Sequence, residues 1–259
     1  MSLKRRDPHA APVNEDGWAA LRRHTAARIA LGRSGASLPT REVLAFELAH
    51  AQARDAVLAP LDAAALRAAL EAEGWPVLEV RSRAPDQGAY LARPDWGRRL
   101  APESLAALPA GGGADLALVL GDGLSAVALQ RHAAPLLRAL RPWLGGLSLA
   151  PLVIATRARV ALADEVGERL GARVAVSLIG ERPGLSSPDS LGAYLTYAPR
   201  VGRHDAERNC ISNIRPQGLG YAEAAAQLAA LLRAALAKGL SGVKLQFDPA
   251  RALDAPPAG

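Results

Sequence analysis

Cysteine is all but missing from this chain. Cys210 is the one thiol in 259 residues, which excludes an internal disulfide and any metal site built from several cysteines. Five histidines are scattered with no metal-ligand spacing, so no metal ligand is assigned. Long apolar runs are lacking too: stretches such as residues 116–120 fall far below the ~20 residues a membrane helix needs. Residues 1–17 are polar, interrupted by Pro8 and Pro12, and hold no apolar segment of the kind a secretory signal carries. A cytoplasmic protein that does not engage a membrane is therefore expected. Lysine is the third scarcity, with only Lys4, Lys238 and Lys244 among 31 basic residues. The arginines are interleaved with 25 acids along the whole chain, so the net charge of +6 is an average and not the basic patch that nucleic-acid binding requires. No nucleic acid is expected as a partner.

What is present fits a soluble globular protein: half the residues are hydrophobic and 22% are charged. A chain of this length buries roughly 70 to 75% of its unfolded surface. Residues 1–20 read as a basic, proline-interrupted N-terminal arm. Residues 21–110 read as a small helical domain with a hairpin. Thr40 is placed to cap a helix running to about Leu58, and Asp62 to cap a second, with Leu66 and Leu70 on one face and Gly74 as its stop. The hairpin is expected from strands at 77–81 and 89–92 about the turn Ala84-Pro85-Asp86-Gln87-Gly88. Pro109-Ala110-Gly111-Gly112-Gly113 marks a boundary. Across residues 111–259 apolar strands alternate with helices: strands at 116–120, 152–155 and 173–179, helices from Ser125 to about Leu140, at 160–170 and at 221–237. That alternation predicts an α/β fold, a Rossmann-like parallel sheet flanked by helices and preceded by a small, mostly helical N-terminal domain.

The stretch 178–215, LIGERPGLSSPDSLGAYLTYAPRVGRHDAERNCISNIR, stands apart. It reads as a long polar segment without much regular structure, pinned by apolar anchors such as Leu191, Leu195 and Ile214, and such loops are usually functional. In open parallel sheets ligands bind beyond the carboxyl ends of the strands. Three loops converge there: Gly121–Ser125, Thr156–Val160 and Glu181–Ser190. The first lets backbone N–H groups approach an anion, but GDG lacks the GxGxxG and GK[ST] spacings, and a structural turn capped by Asp122 or Ser125 explains it as well. Glu181, just past a strand, is suited to accept hydrogen bonds from a ligand, or to form a salt bridge. Cys210 has no base placed beside it, so a packing role is the simpler reading for it than a nucleophile. Val160, at a helix start under the same crevice, reads as core.

Three segments together, ARIALGRSGASLPTREVLAFELAHAQARDAV, LVLGDGLSAVAL and LIGERPGLSSPDSLGAYLTYAPRVGRHDAERNCISNIRPQGLGYAEAA, resemble the small (light) subunit of ethanolamine ammonia-lyase, over about Arg23 to Leu240. That resemblance implies a carbon–nitrogen lyase that uses adenosylcobalamin to convert ethanolamine to acetaldehyde and ammonia. It also implies a large (heavy) subunit as partner, which holds the substrate, so no catalytic residue is assigned to this chain. The family's cofactor-contacting positions fall on Val160 in ARVAL, Glu181 in GERPGL and Cys210 in RNCISN. A corrin ring edged with neutral amide arms suits acceptors and apolar contacts over a cationic patch. Proteins that replace the cofactor's own base with a histidine carry DxHxxG. No histidine here has Asp two residues before it and Gly three after, so base-on adenosylcobalamin is expected. The cytoplasmic enzyme is compatible with residence in a bacterial microcompartment, although residues 1–17 show no amphipathic stripe. The alternative is a nucleotide-cofactor α/β enzyme acting alone, against which the missing GxGxxG weighs.

Overall fold

The computed structural model describes residues 13–246. Most of the expected N-terminal arm, and the tail from Phe247, lie outside the described residues. Of these, residues 13–54 with 184–186 form one compact unit, and 55–183 with 187–246 form another. Helix α1, Thr40–Leu58, contributes to both, and everything after it except residues 184–186 belongs to the second.

Local signals set most element boundaries in the second unit. Asp62 caps α2, Ala63–Ala72, by accepting from Ala65 N–H at 2.9 Å, and Leu66 and Leu70 are its buried face. Strand β1, Val77–Arg81, follows, but the hairpin does not form. Asp86 accepts from Ala89 N–H at 2.8 Å and so caps α3, Gln87–Ala92, turning what looks like a β-turn into a helix start. Two short helices, α4 at Pro94–Gly97 and α5 at Pro102–Ala107, each opened by proline, lead to the central strand β2, Leu116–Gly121. Ser125 caps α6, Ala126–Leu140. Strand β3 is Leu152–Thr156, α7 is Leu162–Leu170, β4 is Val174–Gly180 and α8 is Tyr221–Lys238. The 178–215 stretch is not the largely unstructured loop expected: Leu191–Tyr197 is β5 and Arg208–Ile214 is β6.

The sheet is mixed and not wholly parallel. Its order is β1-β3-β2-β4-β5-β6, with the first four strands parallel and β5 and β6 antiparallel to their neighbours. A connection from β4 to β5 that spans only residues 181–190, with part of it in the first unit, is too short for a helical crossover, so β5 must return antiparallel. β1 joins this same sheet through β3, which places it at an edge.

Alternation along the strands divides the core. Leu116, Leu118 and Leu120 of β2 face a large cluster with α6 and α8, to which Leu191, Leu195 and Ile211 also belong, while Ala117 and Val119 face a smaller one built on Leu162 and Val166 of α7. One face is thus covered from β1 to β6. On the other, nine-residue α7 packs mainly over β2 and β4 and reaches β6 through the Asp164–Arg208 contact, leaving Tyr194 half-buried and Cys210 exposed.

The β2–α6 turn packs backbone to backbone on the end of β4. Leu124 N–H donates to Gly180 O at 3.0 Å, and a Cβ on Gly123, whose φ is +59°, would run into Gly180 O. Gly123→Ala is expected to cost about 2 to 4 kcal/mol through strain and overpacking. A lowered urea midpoint at unchanged m value would register it. Gly145→Ala, with open space around the added methyl, should leave the midpoint in place.

Candidate functional site

The part of the β5–β6 face that α7 leaves open meets the entrance to that helix in a cleft of about 330 Å3, lined by Val160, Ala161, Arg159, Tyr194, Cys210 and Arg98 among others. Its walls come from separate parts of the chain, each held for an identifiable reason.

The first wall is the β3–α7 loop. Asp122 of the GDG turn accepts from Arg157 N–H at 2.6 Å and Ala158 N–H at 2.9 Å, which holds Arg157 at a φ of +54°. Burial pushes the Asp122 carboxyl up from its ordinary range, and those backbone donors oppose the shift. On the far side, buried Tyr90 donates its hydroxyl to Ala158 O at 3.0 Å, and Arg159 N–H donates to Gly97 O at 2.8 Å. The Arg159 guanidinium lies 4.4 Å from the Tyr90 ring centre and donates to Tyr90 O at 3.2 Å, yet its Nε is buried with no hydrogen-bond partner. Half-buried Val160 is presented between these braces.

The second wall is the sheet itself. Tyr194 and Cys210 are cross-strand partners, and Thr196 pairs with Arg208 one pleat away on the same face. Arg208 is nearly buried. Its Nη1 donates to Asp164 Oδ1 of α7 at 2.6 Å and to Thr196 Oγ1 at 2.9 Å, its Nε to Asp205 at 3.3 Å, and its Nη2 to Arg203 O at 2.9 Å. Cys210 remains exposed although it sits against Tyr194. Desolvation raises its thiol above the ordinary range and the nearby Glu181 charge adds to that, while the Tyr194 hydroxyl opposes it.

Glu181 does not line this cleft but continues its row. The carboxylate lies over Gly192, where an added Cβ would stand 2.9 Å from both Glu181 Oε1 and Tyr194 Cε2. Val160 and Cys210 thus share one cleft, with Glu181 at its border through Gly192 and Tyr194. The three expected loops do converge: Asp122 ties the first to the second, and Ser125 Oγ donates to Pro188 O at 3.0 Å, tying the first to the third. The phosphate-cradle alternative for GDG finds no open donors, since Leu124 N–H and Ser125 N–H are engaged by Gly180 O and Asp122 O. Tyr194, Arg98 and Arg159 were not singled out from sequence. The alternation in LGAYLTY could have identified Tyr194, but nothing local marked the arginines.

Chemically, the cleft offers apolar contacts from Val160, Ala161 and the Tyr194 ring, the guanidinium of Arg98, and carboxylate acceptors in Asp205 within it and Glu181 at its border. It contains no nucleophile paired with a base. Among the described residues no group of three or more His, Cys, Asp or Glu side chains could hold a metal ion, and no helix is long and apolar enough to cross a membrane.

A raised thiol should react slowly in spite of its exposure, because the thiolate is the nucleophile. Iodoacetamide at about pH 7.5 is expected to alkylate Cys210 more slowly than free cysteine. Glu181→Gln, by removing a charge that raises the thiol, should accelerate it about two- to threefold. Mass spectrometry of the single thiol reads both rates.

Residues 15–246 match the family model described as ethanolamine ammonia-lyase light chain. The ethanolamine ammonia-lyase small subunit of Ralstonia nicotianae is 58% identical, with 93% of this chain and 92% of that protein covered. The small subunit from Azotobacter vinelandii is also 58% identical, over 92% and 91% of the two chains. That of Pseudomonas syringae is 54% identical, over 93% and 85%.

Proposed function

Because this chain belongs to the ethanolamine ammonia-lyase small-subunit family, we propose that it forms one wall of an adenosylcobalamin site, completed by a large subunit that carries the substrate. The observation that supports this most is the partly open β5–β6 face, where the Tyr194 ring, Cys210 and Val160 offer apolar contacts beside the hydrogen-bonding groups of Arg98, Asp205 and Glu181. A corrin ring presents the complementary pattern, a broad ring with amide arms around its edge. A cleft of about 330 Å3 is near the lower limit of small-molecule pockets. It is therefore one side of a corrin site and not an enclosure for it. The parallel β1–β3–β2–β4 half, with crossover helices on both faces, supports reading the fold as Rossmann-like.

When bound, the cofactor supplies a weak cobalt–carbon bond whose homolysis starts radical chemistry. This chain's part is to bind and orient. Val160, Cys210 and the Tyr194 ring pack on the ring's apolar surface and keep water from it. Glu181 accepts from an amide N–H. Arg98 offers donors to amide carbonyls or to the nucleotide-loop phosphate. Deamination of ethanolamine to acetaldehyde and ammonia then requires both subunits. A cytoplasmic site of action, free or within a bacterial microcompartment, accords with this reading.

Absorbance titration of the two-subunit complex tests it. Loss of a charge-assisted hydrogen bond is worth ~1.5 to 3 kcal/mol, so Glu181→Ala should weaken corrinoid binding about 10-fold or more, with Glu181→Gln milder. Cys210→Ser should bind and turn over nearly normally, whereas Cys210→Trp should block binding by filling the cleft. Equal affinity across all of these variants would remove the cleft from the cofactor site.

Base-on binding is the second expectation. His132 is buried against Tyr221, its Nδ1 2.8 Å from that hydroxyl, and His204 starts a surface turn, its backbone N–H donating to Glu207. Electron paramagnetic resonance of the complex loaded with cobalt(II) cofactor should show nitrogen coupling that does not change when protein histidine is labelled with nitrogen-15. A change on labelling would assign the lower ligand to the protein.

A further inference from the structure

Glu181 leaves β4 with its carboxylate already oriented. Its Oε2 accepts from two donors, the Ser190 hydroxyl and, at 3.2 Å, Asn213 N–H. No hydrogen bond among the described residues reaches Oε1, and it occupies the space that the missing side chain of Gly192 leaves open. A carboxylate bound at random would share its bonds between both oxygens. Here both converge on one, and the glycine clears the approach to the other.

Ser190 is itself held firmly. It is 5% exposed, and its carbonyl accepts from Glu181 N–H at 2.9 Å, so the two residues are joined through main chain and side chain alike. The preceding Asp189 is gripped by Arg131 at 3.0 Å and Arg215 at 3.3 Å, with Nε2 of buried His132 3.5 Å away. Partial burial works against this carboxylate, but the two guanidinium groups hold it below its usual range. With Pro188 O bonded to Ser125, residues 188–190 are tied both to the start of α6 and to the end of β6.

We infer that Ser190 is a positioning residue, fixing one oxygen of Glu181 so that the other is presented, over Gly192, to an N–H donor of the bound ligand. This rests on the corrin reading above, in which the donor is a side-arm amide. Its physical content is preorganisation: the rotamer is fixed before binding, so the ligand does not have to order it.

A double-mutant cycle separates positioning from mere structural support. Wild type, Ser190→Ala, Glu181→Ala and the double variant are assembled with the large subunit and checked for assembly by gel filtration. Each is then titrated with cyanocobalamin and followed by absorbance. Ser190→Ala should weaken binding about 3- to 10-fold in the wild-type background, less than Glu181→Ala because only the orientation of the carboxylate is given up, and less than about twofold once Glu181 is alanine. Equal losses in both backgrounds, with Glu181→Ala still weakening binding, would overturn the positioning role and leave the corrin reading standing. Unchanged affinity in Glu181→Ala would overturn this inference, and the corrin reading falls with it only if Cys210→Trp also binds normally. If Ser190→Ala does not assemble, Gly192→Ala addresses the same oxygen. Its loss should be larger with Glu181 present than with alanine there, and equal losses would overturn the inference.

Discussion

The cleft exists because one buried ion pair joins the sheet to the helix above it. Arg208 and Asp164 have side chains 3% and 1% exposed and meet at 2.6 Å. Taking two such charges out of water is expensive, and the contact persists because each guanidinium nitrogen makes at least one hydrogen bond, the others going to Thr196, Asp205 and Arg203 O. Its geometric consequence outweighs any net stability. Arg208 stands two residues before Cys210 on the same face of β6, and Asp164 stands one helical turn after Val160. Tying the two together sets the distance between the floor of the cleft and its overhang. Removing either partner alone would leave a buried charge unpaired, the costly case, so the pair defines the site's geometry even though it need not touch a ligand.

The position of the opening reflects helix length and strand direction. Parallel strands are normally covered on both faces because their crossovers place helices there. Once the chain turns back at β4, that supply stops: β5 and β6 are antiparallel, joined to their neighbours by loops, and only α8, after β6, is available to cover one side. The other side keeps small and polar groups, Gly192, Tyr194, Thr196 and Cys210, where a buried face would carry branched aliphatics. This is why the candidate surface lies on the antiparallel extension and not only in the crevice at the ends of β2 and β3.

That division also explains which features are legible in the sequence. Helices with a capping side chain and a single apolar face are legible: Asp62 with Leu66 and Leu70, or Ser125 with the apolar run after it. Strands buried on both faces are legible as continuous apolar runs. Asp86 misleads, because an Asp in a Pro-Asp-Gln-Gly run serves equally as a turn residue and as a helix cap, and the choice depends on the tertiary packing of the residues after it. β5 and β6 are hidden by the small and polar residues on their second face. Gly192 and Thr196 interrupt the hydrophobic count, and in β6 only Ile211 and Ile214 are strongly apolar and buried, three apart at a register irregularity. For the candidate site, the resemblance points to Val160, Glu181 and Cys210, and bottom-up reasoning places Glu181 and the three loops near one another. Tyr194, which lies between Glu181 and Cys210, becomes visible only through the strand pairing.

The few uncommitted polar groups around the cleft bear on how much binding this chain can supply by itself. Most guanidinium and carboxylate groups nearby are paired: Arg99 with Glu165, Arg203 with Glu207, Arg208 with Asp164 and Arg93 with Asp95. Among the described residues, what remains for a ligand includes one carboxylate oxygen of Glu181, the second oxygen of exposed Asp205, and Arg98. A hydrogen bond to a charged group contributes ~1.5 to 3 kcal/mol, while immobilising a ligand costs an estimated ~4 to 15 kcal/mol before any surplus appears as affinity. Three such contacts in an open cleft therefore do little more than offset that cost, whereas micromolar binding needs a net ~8 kcal/mol. On the proposed reading, tight retention of a corrin must come from a second wall that buries the ring's other face. The open cleft then reflects a division of labour, in which this chain orients the cofactor's edge and the larger partner supplies most of the burial.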